Sequence, residues 1–343
     1  MKRFLPGMSA LAFLLLAGCG ATTPLGSSAP ALVFPTPTAS SGATGPALGS
    51  VILTYKGHKA PVDSLAWSPD GKSIASGSDD TSLQVWDATS GATVITYTQY
   101  PAPVGAIAWS PDSSLLAAAY LNHPNTIAVL NPLDGHTIST YRGHFAPVDS
   151  VAWSPDGKRI ASGGNDLNVQ IWDALTGNNV VRCSGHTNGI TSVAWSPDGA
   201  RIASASQDGT VQICDAQSGA LLLTYHGHQG IVYAVAWSPN GKQLASAGAD
   251  HTVQIWDATT GQTALTYRGH TNTVYAAAWS PDGKHLASSS ADGTVQLWDA
   301  AGSLLYTYHT SPNHPLPITW SPDGTRIASA NADNTIAVWE ATT

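Results

Sequence analysis

One tripeptide, Trp-Ser-Pro, recurs seven times along the chain, with its tryptophan at Trp67, Trp109, Trp153, Trp195, Trp237, Trp279 and Trp320 and intervals of 42, 44, 42, 42, 42 and 41 residues. A fixed period of this length marks a repeat architecture: each unit is too small to bury its own apolar face and must stack on its neighbours. A second column stands 19 residues after the first, at Trp86, Trp172, Trp256, Trp298 and Trp339, with Cys214 in the fourth copy and, after a two-residue insertion, Leu130 in the second. All 12 tryptophans fall in these two columns.

Within a copy, short runs such as Ser64-Leu65-Ala66-Trp67, Ser73-Ile74-Ala75-Ser76 and Leu83-Gln84-Val85-Trp86 are divided by turn residues, which is the pattern of strands. Ser68-Pro69-Asp70-Gly71 fits a type I turn, with proline presetting φ at the second position. A fourth run, such as Ala92-Thr93-Val94-Ile95-Thr96-Tyr97, closes each copy. Composition agrees: only 10% of residues are charged, there are 33 Gly and 22 Pro, and the acidic residues are 21 Asp with Glu340 alone. Asp favours turns where Glu favours exposed helices. Seven units of four strands predict an all-β, seven-bladed propeller.

Gly57-His58, the Trp67-Ser68-Pro69-Asp70-Gly71 turn and Trp86-Asp87 together resemble a WD40 repeat. The resemblance covers about residues 51–343 in seven spaced copies. It implies four-stranded antiparallel blades and a ring closed when the N-terminal strand, 51–55, completes the last blade beside 335–339. It also implies a structural tetrad in each blade: His58, Ser76, Asp80 and Trp86; His144, Ser162, Asp166 and Trp172; His228, Ser246, Asp250 and Trp256; His270, Ser288, Asp292 and Trp298. The fourth copy keeps His186, Ser204 and Asp208 beside Cys214; the second has Ala118 for the serine and no matching histidine. Ser, His and Asp in this repeated setting read as scaffold rather than as a hydrolase triad, since buried polar groups must satisfy one another.

The first residues carry a different signal. Met1-Lys2-Arg3 is a short basic start, the apolar run Phe4 to Leu16 is too short to span a bilayer, and Leu16-Ala17-Gly18-Cys19 resembles a bacterial lipoprotein signal. The expected organisation is a removed signal at 1–18, an acylated Cys19 with an Ala/Ser/Thr/Pro-rich tether at 19–49, and a propeller at 50–343. This places the protein in the cell envelope, lipid-anchored to a membrane surface. Net charge is −8, and without Lys2 and Arg3 the remaining 12 basic and 22 acidic residues give −10. No basic footprint for nucleic acid is present.

In WD40 proteins the commonest partner contacts lie four and six residues before the first tryptophan and just before the tetrad Asp. Carried over, the resemblance implies contact residues at Asp63, Asp149, Thr191, Tyr233 and Tyr275, at Ile231 and Thr273, and at Asp79, Asn165 and Gln207. These three columns contain no Lys or Arg, which suits neither phosphate nor nucleic acid. Tyr233 and Tyr275 in adjacent copies offer an aromatic patch, unless they only pack on channel-lining neighbours. The expectation is a monomeric, non-enzymatic scaffold for a protein or peptide with an apolar anchor, without cofactor or metal. The alternative is a propeller enzyme or glycan binder using Asp63, Asp79 and Asp149. Cys183 stands in a tyrosine column and Cys214 in the tryptophan column, so both read as packing residues, Cys214 as a buried thiol. A bond between them is conceivable in an exported chain, but they fall in neighbouring blades.

Overall fold

The computed structural model describes residues 46–99, 102–121, 125–310 and 317–342. The signal segment, Cys19 and the tether up to residue 45 lie outside the described residues. Among those described, 28 strands form seven antiparallel sheets of four, each sheet one blade. Blade 1 comprises Val62–Trp67, Ser73–Ser78, Leu83–Asp87 and Thr93–Tyr97 from inner to outer strand. Blades 2 to 6 span 104–141, 148–183, 190–225, 232–267 and 274–309. Blade 7 is built from Ile318–Trp320, Arg326–Ala330 and Ile336–Glu340 and takes its outer strand, Val51–Tyr55, from the other end of the propeller. That strand pairs antiparallel with the third strand of blade 7, Val51 opposite Trp339 and Tyr55 opposite Ile336. Just before it, the Gly49 amide donates to the Glu340 carbonyl at 2.7 Å. The expected closure is therefore the observed one.

The apolar cores lie between blades. In one, Trp67, Ile74 and Trp86 of blade 1 pack against Ala328, Ile336 and Val338 of blade 7; in the next, Ala75, Leu83 and Val85 of blade 1 meet Trp109, Leu116 and Leu130 of blade 2. The second and third strands are buried on both faces, which is why their sequences read as apolar and small rather than alternating. Small residues in the second strand let neighbouring sheets approach. At Gly77 an added Cβ would sit 2.6 Å from Val104 Cγ1 of blade 2. The first-column indoles add directed staples: Trp109, Trp153, Trp195, Trp237 and Trp320 each donate from Nε1 to the carbonyl of Ala66, Ala108, Ala152, Ala194 and Ala278 in the preceding blade, at 3.1–3.2 Å. Trp67 instead donates to Gly71 of its own turn.

Candidate interaction face

One face of the ring carries the connections from outer to inner strands, such as 56–61, and from second to third strands, such as 79–82. In blades 1 to 6 the pairing of the inner strand with the second slips by one residue at an equivalent place. In blade 1, Val62 lies opposite Ser78 but Ser64 lies opposite Gly77. The residue left over is Asp63, Gly105, Asp149, Thr191, Tyr233 and Tyr275 in turn. A β-bulge re-aims the side chain it carries. The remaining two columns are tied together by a backbone bond: the amides of Asp79, Asn165, Gln207, Ala249 and Ala291 donate to the carbonyls of Pro61, Pro147, Gly189, Ile231 and Thr273 at 2.8–3.0 Å. The three sequence columns are thus one local unit, repeated around the face.

Tyr233 and Tyr275 meet edge to face, ring centroids 5.0 Å apart and planes at 67°. Both are half-buried, and burial raises both hydroxyls above the ordinary tyrosine range, Tyr275 adding to the effect at Tyr233. They stay neutral at physiological pH. Ile231 and Thr273, also half-buried, stand on the same two blades. Other expected contact residues do different work. The Thr191 hydroxyl donates to the Val232 carbonyl of blade 5 at 2.6 Å, so it clamps two blades. Asn165 and Gln207 converge over Gly189, where an added Cβ would lie 2.5 Å from Asn165 Oδ1 and 3.2 Å from Gln207 Nε2. Asp63 and Asp149 occupy the bulges of blades 1 and 3 with Gly105 of blade 2 between them, and Asp79 stands half-buried beside the blade 1 tetrad.

Each complete tetrad is a one-way chain of donors. In blade 3, Trp172 Nε1 donates to Ser162 Oγ at 3.0 Å, that hydroxyl donates to His144 Nε2 at 2.8 Å, and Nδ1 donates to Asp166 Oδ2 at 2.7 Å. Blades 1, 5 and 6 repeat it through Ser76, Ser246 and Ser288. These hydroxyls are fully buried and committed to an indole and an imidazole, so no substrate carbonyl reaches them. Burial also lowers the imidazoles of His58 and His270 below the ordinary histidine value, against the pull of Asp80 and Asp292. Burial works to raise the tetrad carboxylates, but hydrogen bonds from histidine, hydroxyl and backbone donors outweigh it and hold Asp80, Asp166, Asp208, Asp250 and Asp292 below the ordinary range. Blade 4 keeps His186 Nε2 on Ser204 at 2.9 Å and Nδ1 on Asp208 at 2.8 Å, with Cys214 in the indole's place. Among the described residues, no group of three or more His, Cys, Asp or Glu is placed to hold a metal ion.

Two features escaped the sequence. A glutamine two residues before four of the five second-column tryptophans links neighbouring blades: Gln170 Oε1 accepts from the Tyr141 hydroxyl at 2.6 Å while its Nε2 donates to the Gly143 carbonyl at 3.2 Å. Gln254 and Gln296 do the same with Tyr225 and Tyr267. The second is a correction: Cys214 is not a free thiol, because Cys183 and Cys214 form a disulfide between blades 3 and 4, with Cα atoms 6.2 Å apart. The tyrosine column of one blade stacks on the second tryptophan of the next, at 4.4 Å for Tyr55 and Trp86 and 4.3 Å for Tyr141 and Trp172. Neighbouring blades therefore bring these two columns together instead of separating them. The signal was available: every such Tyr–Trp pair is 31 residues apart, as are Cys183 and Cys214.

Comparison with known proteins meets the same repeats. Residues 49–87 and 135–173 match the family described as WD domain, G-beta repeat, and residues 189–343 match the one described as IFT122 first beta-propeller. The chain carries WD40 repeats. Among curated proteins it is similar to Protein HIRA of Zea mays, 46% identical over 41 residues, which is 12% of this chain and 4% of that protein. It is also similar to Serine-threonine kinase receptor-associated protein of Gallus gallus, 44% over 43 residues and 12% of either chain, and to Periodic tryptophan protein 2 of Saccharomyces cerevisiae, 48% over 42 residues, 12% of this chain and 5% of that one. The chain thus spans a small fraction of these relatives, about one WD40 repeat in each.

Proposed function

We propose that this WD40 propeller is a non-enzymatic scaffold that takes a protein or peptide on its loop face, held at a membrane surface through a lipidated Cys19. WD40 propellers generally bind proteins, and one similar protein carries receptor association in its name. The observation that carries the reading is the Tyr233–Tyr275 pair: two neutral aromatic side chains, edge to face on adjacent bulges, beside Ile231 and Thr273. Tyrosine gives a large amphipathic contact of the kind that dominates binding hot spots. The partner chemistry is an apolar anchor on the tyrosines with a basic group toward Asp63, Asp79 and Asp149. The disulfide supports export, since such bonds persist in oxidising compartments.

Crosslinking in the native cells, followed by purification, compares the wild type with Tyr233→Ala/Tyr275→Ala. The expected result is a partner lost from the double variant while its thermal transition survives; a partner equally retained moves the site elsewhere. Cys19→Ser is expected to shift the protein from the membrane to the soluble fraction, and continued membrane retention counts against the anchor.

A further inference from the structure

The disulfide occupies a position that five other blade interfaces fill with a stacked pair. Tyr55 on Trp86, Tyr141 on Trp172, Tyr225 on Trp256, Tyr267 on Trp298 and Tyr308 on Trp339 lie with interplanar angles of 1–8°. At the interface of blades 3 and 4, both members are replaced together. Other links cross this interface, Arg159 Nη1 of blade 3 donating to the Ala216 carbonyl of blade 4 at 2.7 Å with its guanidinium 4.9 Å over the Trp195 ring, but the Tyr–Trp stack is gone from it. The outer strand of blade 3, Val181–Cys183, has three residues where the other outer strands have five or six. Ser204 has no indole to accept from, and Gln212 has no tyrosine hydroxyl. Both cysteines are buried, at 8% and 4% exposure, and their Cα separation lies within the usual disulfide span.

We propose that the interface of blades 3 and 4 is a redox-operated clamp: oxidised, the Cys183–Cys214 bond does the work of the aromatic stack, and reduced, the ring loosens there before it does so elsewhere. Formation needs a disulfide donor of the low-molecular-weight or thioredoxin-fold class. One cysteine thiolate attacks a donor sulfur and displaces the first donor thiol; the other cysteine thiolate then attacks the mixed disulfide and displaces the second. Two protein thiols become one bond, and their two protons leave with the two donor thiols. Reduction by a dithiol runs the same exchanges backwards. Two buried thiols cover far less apolar area than a tyrosine on an indole, so the reduced interface keeps neither link. Cys183 ends the outer strand that leads, through residues 184–189, to Gly189 against Asn165 and Gln207, so loosening reaches the loop face at that place.

The test uses the full chain purified without reductant. Alkylation in denaturant, read by mass, is expected to leave residues 183 and 214 unmodified, and modification of either in freshly isolated protein overturns the proposal. Adding dithiothreitol should lower Tm by about 5–10 °C, as expected for opening a loop of some 30 residues in a domain of this size. Hydrogen exchange should then rise first at 181–183 and 211–214. Cys183→Ser/Cys214→Ser is expected to show the same loss and no further response to dithiothreitol. Cys183→Tyr/Cys214→Trp is expected to recover most of the oxidised Tm and to ignore reductant. An equal reductant response in the double-serine variant, or exchange rising first at another interface, rejects the clamp.

Discussion

Ser162 is the smallest side chain of its tetrad and the one on which most depends. It accepts from Trp172 and donates to His144, so Ser162→Ala strands an indole N–H and an imidazole nitrogen in a buried site, at a cost of about 2–3 kcal/mol. Ser204→Ala in blade 4 breaks only the bond to His186, for about 1 kcal/mol. Thermal denaturation of the two variants side by side checks the ranking. That contrast was legible in the sequence, because the histidine, serine and aspartate recur at fixed offsets and the cysteine stands out against four tryptophan-bearing tetrads. The disulfide was weighed and set aside, because it requires two columns 31 residues apart to be taken as one contact, and only packing between sheets makes them one.

At the scale of the element, the strands and turns were legible and the bulges were not. Strand positions announce themselves through Trp-Ser-Pro and the apolar runs around it. A bulge is set by backbone register, and the residues it carries here are Asp, Gly, Asp, Thr, Tyr and Tyr, which share no side-chain chemistry. The bulge nevertheless aims the candidate contact residues, which gives a prediction that separates backbone from side chain. Tyr275→Ala keeps the bulge and removes one partner of an edge-to-face pair, costing about 1–2 kcal/mol. Deleting Tyr275 removes the bulge and turns the fully buried Val274 toward the opposite side of the strand, so its cost should be at least twice as large. Comparing the melting temperatures of the two variants decides the matter; equal losses would show that the register slip carries no weight.

For the molecule as a whole, stability should hold over a bounded pH window. His58 and His270 are lowered from 6.5, so below that pH the unfolded chain takes up protons that the folded chain refuses, and stability declines as pH falls. The tetrad carboxylates are lowered from 3.8 and add a second, steeper loss below that value. On the alkaline side Tyr267 is pushed up to about 12 from 10.0, so stability falls again above pH 10. Melting temperature against pH should therefore show a plateau between about pH 7 and pH 10, with His58→Asn/His270→Asn reducing the first acid step. The ring supplies another global prediction: removing residues 50–56 takes away the outer strand of blade 7 and the Tyr55 ring that covers Trp86, so unfolding should become less cooperative and begin at a lower temperature, as followed by calorimetry. The direction of that closing strand matters under load. Val51 lies opposite Trp339, so the chain enters and leaves the closing pair at the same end. A pull that separates the two ends lying together there, residue 50 from residue 341, would peel this pair one hydrogen bond at a time instead of shearing all of them together. It would do so at the junction where Trp67 spends its indole on its own turn. The ring would yield to tension as a zip fastener does, from one end and at low force.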